Sequence, residues 1–353
     1  MHLVTTWFGA FLVDEGTVVE KRLYPKDPEA IAERLAFVED WKVLPEEREL
    51  MAGRPDLFVT EARLGRAGGN LTTERVEFLR PEDFGYERTL LHAAMLALAR
   101  RLMRKAVGPD DHLHQAVGTL DDLQEAENVL LERLREWYGL HFPELAKTVD
   151  DRQFIELVAT HGNREAMPID ANESVGGPLG GPEKQSVMAM ASLVQHIDAR
   201  RREIETYIER SATTRAPNVT ALAGPLLAAR LISLAGGVED LAKAPASTIQ
   251  LLGAERALFR HLREHTPPPK HGVLFLHPLV HGAPHWQRGA IARAFAAKIA
   301  IAARADAYSK RPIADALRAD LERAVAKVRE TKAMERPGRR PQTRGRRSTR
   351  GRR

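Results

Sequence analysis

The chain has 353 residues, a formal net charge of +5 and no cysteine. That length calls for more than one core, and the missing cysteine excludes disulfides, thiolate zinc sites, iron–sulfur clusters and cysteine nucleophiles. The charge is unevenly laid out: residues 1–215 carry 27 basic against 38 acidic side chains, 216–335 carry 17 against 10, and 336–353 carry nine arginines and no acid. An acidic front suits a protein partner and a basic back suits nucleic acid.

The opening apolar run has neither a Lys or Arg before it nor a small-residue cleavage site, so it reads as a strand and the protein as cytoplasmic. Leu3–Val13 and Thr17–Val19 form a predicted hairpin around Asp14-Glu15-Gly16. Pro28–Glu39 reads as a helix capped by Asp27, with Ile31, Leu35 and Val38 on one face. Leu57–Thr60 and Val76–Phe78 are further strand candidates, and from Phe84 to Val107 the pattern is helical. Residues 1–108 therefore read as a small α/β domain.

From 109 the period changes. Leu113, Ala116, Leu120, Leu123, Glu127, Leu130, Leu134 and Trp137 step by three and four. So do Val187, Met190, Val194, Ile197, Arg201, Ile204 and Ile208. These are two heptad seams, each broken by one charge. Joined by the non-heptad stretch 138–182, which ends in a Gly/Pro-rich loop read as a hinge, they predict antiparallel coiled-coil arms over 109–215. The seam residues Leu120, Leu123, Leu130, Leu134, Val194 and Ile197 are the expected dimerisation contacts. The apolar run Ala221–Val238 is interrupted by Pro225 and Arg230, which favours a buried helix over a membrane span. Residues 216–335 read as all-helical and alanine-rich, and 336–353 as a disordered arginine-rich tail whose pull on RNA is Coulombic. The fold class expected is mostly α: an α/β front, long antiparallel arms, an all-α C-terminal domain and a basic tail.

Walker A, dinucleotide-fingerprint and nucleophile-elbow patterns are all missing. His261-Leu-Arg-Glu264-His265 matches the inverted zincin pattern and makes a zinc enzyme one alternative. The segment runs into Pro267-Pro268-Pro269, however, and histidines in a last helical turn also answer the helix dipole. The carboxylate pairs Asp110-Asp111, Asp121-Asp122 and Asp150-Asp151 read as helix starts. Six of the 13 histidines fall in 216–335. There Gly253-Ala254-Glu255-Arg256 reads as lying within a helix, followed by Lys270, His271, His277, His281, His285, Trp286, Gln287 and Arg288. Arg293 and Arg304 share a helix face. Cations neutralise phosphate, and His or Trp rings stack on bases.

Residues 128–145 (NVLLERLREWYGLHFPEL) resemble the central signature of archaeal Nop-domain proteins of box C/D ribonucleoproteins. Ala216–Gly224, Leu227–Ile232, Pro245–Arg260, Pro267–Gly272, Phe275–Pro278 and Trp286–Gly289 continue the resemblance, which covers about 120–335. It implies a scaffold rather than an enzyme, with no cofactor of its own. The front would bind fibrillarin, an S-adenosylmethionine-dependent RNA 2′-O-methyltransferase. The arms would pair two copies, and the Nop domain would read guide RNA together with a small kink-turn-binding protein. By position the contact set would be Gly253, Ala254, Glu255, Arg256, Lys270, His271, His277, Arg288 and Arg293, with His277 against RNA and Arg256 and Lys270 on phosphate. A Nop-domain factor for splicing-type assembly is the other alternative.

Overall fold

A computed structural model describes residues 1–74, 79–170, 174–264 and 266–332. The strand candidate at 76–78, His265 and the arginine tail lie outside the described residues. The chain divides between Gly108 and Pro109 into two compact units.

Among its described residues the first unit is a five-stranded sheet carrying four α-helices. Its strands are β1 (His2–Thr5), β2 (Gly9–Asp14), β3 (Thr17–Leu23), β4 (Phe58–Val59) and β5 (Asn70–Leu71), in the order β3-β2-β1-β4-β5. The predicted strand 3–13 is itself a hairpin. The chain reverses at Thr6–Gly9, where the Thr6 N–H donates to the Gly9 carbonyl at 2.9 Å. A Cβ on Gly9 would stand 2.7 Å from the Arg22 carbonyl oxygen, so glycine is what lets β2 start so close to β3. The next turn is tight, with Glu15 (φ 47°) and Gly16 (φ 79°) both left-handed between the paired Asp14 and Thr17. That is the turn whose twist suits a two-residue hairpin.

Strand β2 is buried on both faces because the pleat sends Phe11 and Val13 into one cluster and Ala10 and Leu12 into another. The first cluster packs against α1 (Pro28–Glu39) and α4 (Arg88–Ala106), the second against α2 (Pro45–Met51) and α3 (Ala62–Arg66). Asp27 caps α1 as expected, accepting from the Ala30 N–H at 2.8 Å. A buried Glu47–Arg63 pair, with two hydrogen bonds of 2.6 Å, joins α2 to α3.

The second unit is wholly helical among its described residues. The arms are α5 (Pro109–Tyr138) and α8 (Gly181–Arg215), packed antiparallel. The two charges that interrupt the seams meet each other: Arg201 Nε donates to Glu127 Oε2 at 2.8 Å, and the same guanidinium holds Glu205 and Asp198 on its own helix. The connector contributes α6 (Leu145–Thr148) and α7 (Asp151–His161). They close a distal core of Leu134, Tyr138, Phe142, Phe154, Val158 and Val194, so the arm ends in a small globular tip rather than a bare coiled coil.

The Gly/Pro loop is no hinge. Arg164 Nη1 donates to the carbonyls of His141 and Gly176, both at 2.7 Å, and the Gly177 N–H donates to Leu140 O at 2.8 Å. His141 accepts the Arg164 N–H on Nε2, so its Nδ1 carries the hydrogen given to the Gly177 carbonyl. A Cβ on Gly176 would lie 2.0 Å from the His141 carbonyl oxygen. Gly176 serves close approach, not freedom.

The base of the arms lies inside the C-terminal core. Leu113, Ala116, Leu120, Ile208 and Ala212 pack with Val219, Leu231, Ile291 and Phe295. Its helices are α9 (Pro217–Ala223), α10 (Pro225–Ala235), α11 (Val238–Lys243), α12 (Ala246–Leu251), α13 (Glu255–Glu264), α14 (Pro278–His281), α15 (His285–Arg304) and α16 (Ala314–Thr331). The alanines of α15 let α9, α11, α12 and α16 close around it. A π-helical turn after α15 aims the buried Asp306 at the start of α9. Asp306 accepts from the Asn218 N–H (3.1 Å), Asn218 Nδ2 (2.6 Å) and the Val219 N–H (2.9 Å).

Of the acidic pairs, Asp150 caps a helix as expected. Asp121-Asp122 is not a helix start but sits mid-α5, where Asp121 pairs with Arg230 of α10. That contact explains the arginine inside the apolar run. No helix of the described residues is long and apolar enough to cross a membrane.

Candidate nucleic-acid interface

The basic residues near the C-terminus cluster because one short connection is pinned on both sides. Helix α12 stops at Leu251, and the chain turns through Leu252 and Gly253, whose φ is +78°. Gly253 is thus a link between two helices, not the mid-helix residue expected. A Cβ there would stand 2.5 Å from Val273 Cγ1. Glu255 reaches back to accept the Gly253 N–H at 2.6 Å and starts α13. The returning strand of chain is held by Gly272 N–H to Gln250 O (2.9 Å) and Val273 N–H to Leu252 O (2.8 Å). A Cβ on Gly272 would lie 1.8 Å from the Leu252 oxygen. The strand-like run Val273–Leu276 forms a 3₁₀ turn, because after Val273 its N–H groups bond locally rather than to a second strand.

Helix α13 buries none of its side chains. It presents Arg256 and Arg260 to solvent together with Phe259 (60% exposed) and Leu262 (62% exposed). Those two apolar residues were not singled out by sequence reasoning, because a helical pattern does not tell an apolar stripe that faces the core from one that faces outward.

The predicted contact residues separate into four places. Gly253 and Ala254 lead into α13, which Glu255 and Arg256 begin. Lys270 and Arg293 line a groove of 530 Å³ with Trp286, Lys332 and the Pro267–Pro269 strap, and among the described residues no carboxylate lines it. Gly289 makes room there, its hypothetical Cβ only 3.3 Å from Lys270 Cβ. His271 and Arg288 both contact Phe275: the imidazole stacks at 4.7 Å and 14°, and the guanidinium lies 5.2 Å from the ring centre. Burial lowers the pKa of His271, and the Arg288 and Lys270 charges add to the effect.

Arg288 differs from the expected free cation, since it donates to the carbonyls of Ala283 (2.8 Å) and His281 (3.0 Å). Its guanidinium closes the turn between α14 and α15. Arg304 is likewise turned away, donating to the Ala242 carbonyl at 3.1 Å.

His277 lies apart from the groove. It is the N-cap of α14, its Nδ1 accepting the Leu279 N–H at 3.2 Å, and its ring rests 4.7 Å from the buried Phe295. Burial lowers its pKa, with His281 adding to this. It lines a separate, mostly apolar cavity between α9, α14 and α16.

The zinc reading finds little geometry. His261 Nδ1 pairs with the Thr266 carbonyl at the end of α13, the helix-terminus role, and His265 lies outside the described residues. Among the described residues no cluster of three or more His, Asp or Glu gathers as a metal site.

The seam residues divide as well. Leu134 and Val194 are fully buried in the distal core and Leu120 in the C-terminal core, so their contacts lie within the chain. Leu123, Leu130 and Ile197 are half-buried, and Val129 and Leu193 beside them are exposed.

The family Nop, described as "snoRNA binding domain, fibrillarin", matches residues 119–327. An uncharacterised NOP5 family protein of Methanocaldococcus jannaschii is 42% identical over 261 residues, 69% of this chain and 63% of that one. Nucleolar protein 58 of Scheffersomyces stipitis is 36% identical over 292 residues, 72% of this chain and 57% of its own length. The chain thus spans less than two thirds of these curated relatives. A solved fibrillarin/Nop5p complex covers 93% of the chain at 22% identity with a TM-score of 0.42, a likeness too slight to argue from. The match over 119–327 takes in most of both arms and most of the basic helical bundle, and on that extent the chain belongs to the Nop family.

Proposed function

We propose that this protein is the cytoplasmic core scaffold of a box C/D ribonucleoprotein. In this reading the 1–108 unit recruits fibrillarin and the arms pair two copies of the chain. The helical bundle docks on guide RNA and its kink-turn-binding protein, and the methyl transfer belongs to fibrillarin. The observation that carries it is the family match over 119–327, which spans the exposed α13 and Lys270 and Arg293 of the basic groove. An exposed helix carrying both arginine and apolar side chains suits a composite RNA and protein surface. For the pairing of two copies, the support is the exposed Val129 and Leu193 beside the half-buried seam.

Reconstitution tests this. The chain alone, with S-adenosylmethionine and target RNA, is expected to give no methylation. With fibrillarin, a kink-turn binder and a guide RNA, 2′-O-methylation of the complementary target is expected. Activity from the chain alone, or full activity of the other components without it, would overturn the scaffold reading.

A further inference from the structure

The basic groove holds a polar group that the charge pattern of the sequence does not show. Gln250 of α12 lines it and is only 8% exposed. Its Nε2 donates to the Lys270 carbonyl at 2.7 Å and to the Gly289 carbonyl at 3.4 Å, so both amide hydrogens are committed. With carbonyl oxygens on that side the amide cannot flip, because its own oxygen would then meet theirs. Oε1 is left as a fixed acceptor with no partner among the described residues. Side chains this buried seldom keep an acceptor unused. Trp286 is fixed as well: its Nε1 donates to the Lys332 carbonyl at 3.1 Å, so the indole is a set aromatic wall with no N–H to offer. Lys270 and Arg293 line the same groove, and neither makes an ion pair among the described residues. The volume of 530 Å³ falls within the range of ligand sites, about 300–1,000 Å³.

We propose that the groove is a nucleobase pocket in which Gln250 Oε1 selects a keto base, uracil or guanine, from an unpaired stretch of RNA. This rests on the RNA-scaffold reading and adds to it which bases the surface takes. A lone acceptor whose own amide hydrogens are turned away is matched by a ring N–H, and uracil N3 and guanine N1 carry one. Cytosine N3 and adenine N1 present a bare lone pair at the same place, opposite the Gln250 oxygen. Their exocyclic amines can donate to it only from a position shifted along the base edge. The keto oxygen beside the ring N–H is then within the chemistry of Lys270 and Arg293, which only donate. The base plane stacks on Trp286. Cations that meet phosphate carry no base preference, so the selection comes from the amide.

The experiment titrates the full chain at low salt, by fluorescence anisotropy, with labelled strands of about 6 nucleotides. The three probes are oligouridine, oligocytidine and oligo-3-methyluridine, the last keeping both keto groups of uracil but replacing its N3–H by a methyl group. Their phosphates are alike, so attraction that ignores the base cancels in the affinity ratios. Oligouridine should bind about fivefold tighter than oligocytidine, the worth of one neutral hydrogen bond. Oligo-3-methyluridine should fall to the oligocytidine level or below. Gln250→Leu should bring oligouridine down to that level and leave oligocytidine within about twofold, with circular dichroism confirming the fold. Should that variant unfold, the 3-methyluridine comparison on the unaltered chain decides.

Equal binding of oligouridine and oligocytidine, or an oligo-3-methyluridine as tight as oligouridine, would overturn the proposal and leave Gln250 a structural tie between α12, the Lys270 strap and α15. If none of the short strands bound while a kink-turn RNA with its protein did, the pocket would fall and the scaffold reading would stand. If neither bound the full chain, the scaffold reading itself would fall with it.

Discussion

The Glu127–Arg201 contact offers an asymmetric test of how the arms are held. Arg201 faces three carboxylates, those of Glu127, Asp198 and Glu205, and its side chain is only 19% exposed. Replacing Glu127 by Leu leaves the guanidinium two partners on its own helix, so the loss should be small, about 0–1 kcal/mol. Replacing Arg201 by Leu leaves three carboxylates around an apolar side chain. Removing one member of a fully buried pair costs about 3–5 kcal/mol; the residual exposure and solvent screening here reduce this to about 2 kcal/mol. The double Leu variant restores an unbroken heptad seam and should recover most of that loss, because well-packed apolar pairs often match a buried ion pair. Chemical denaturation of the full chain, followed by helical circular dichroism, measures the four corners of the cycle. Equal costs for the two single variants, or a double variant as weak as their sum, would refute the cross-arm pairing as the coupling element.

Asp306→Ala strands three donors at the start of α9 and should cost about 3 kcal/mol, while Asp306→Asn, which keeps an acceptor, should cost less; thermal unfolding reads both. Gly272→Ala should lower stability by about 3 kcal/mol or more, since its Cβ meets a backbone oxygen and the Leu252–Val273 hydrogen bond must open. Denaturation midpoints check it, and wild-type stability would show that the strap can move. The His277 pKa is lowered by burial first and His281 second, so folding favours the neutral ring. That stabilisation is complete above the unfolded value of about 6.5 and is lost as pH falls through the lower folded value. His277→Asn, which keeps a cap acceptor but does not titrate, should flatten the acid-side loss of melting temperature. Val129→Asp with Leu193→Asp should give a monomer of unchanged helicity by light scattering, whereas Val194→Asp should unfold the distal tip, where Val194 is fully buried.

Much of the architecture was legible without coordinates, because it follows from period and punctuation. Asp27-Pro28 starts α1, Glu15-Gly16 turns a hairpin, and the seams with one charge apiece produce an antiparallel pair in which those charges meet. The basic groups around Lys270 and Arg293 were legible as a cluster, since charge and histidine concentrate there. What sequence could not supply was direction and commitment. Arg288 and Arg293 look alike in a string of residues; only packing shows one guanidinium spent on carbonyls and the other lining a groove. Gly253 and Gly176 signal close approach, but the neighbour that approaches is far along the chain. Val194 and Leu193 sit side by side, and a turn of 100° per residue buries the first and exposes the second. Periodicity is local and was written in the sequence. Which polar group finds a partner depends on residues brought together across the fold, as Lys332 is with Trp286, and that was settled only by tertiary structure.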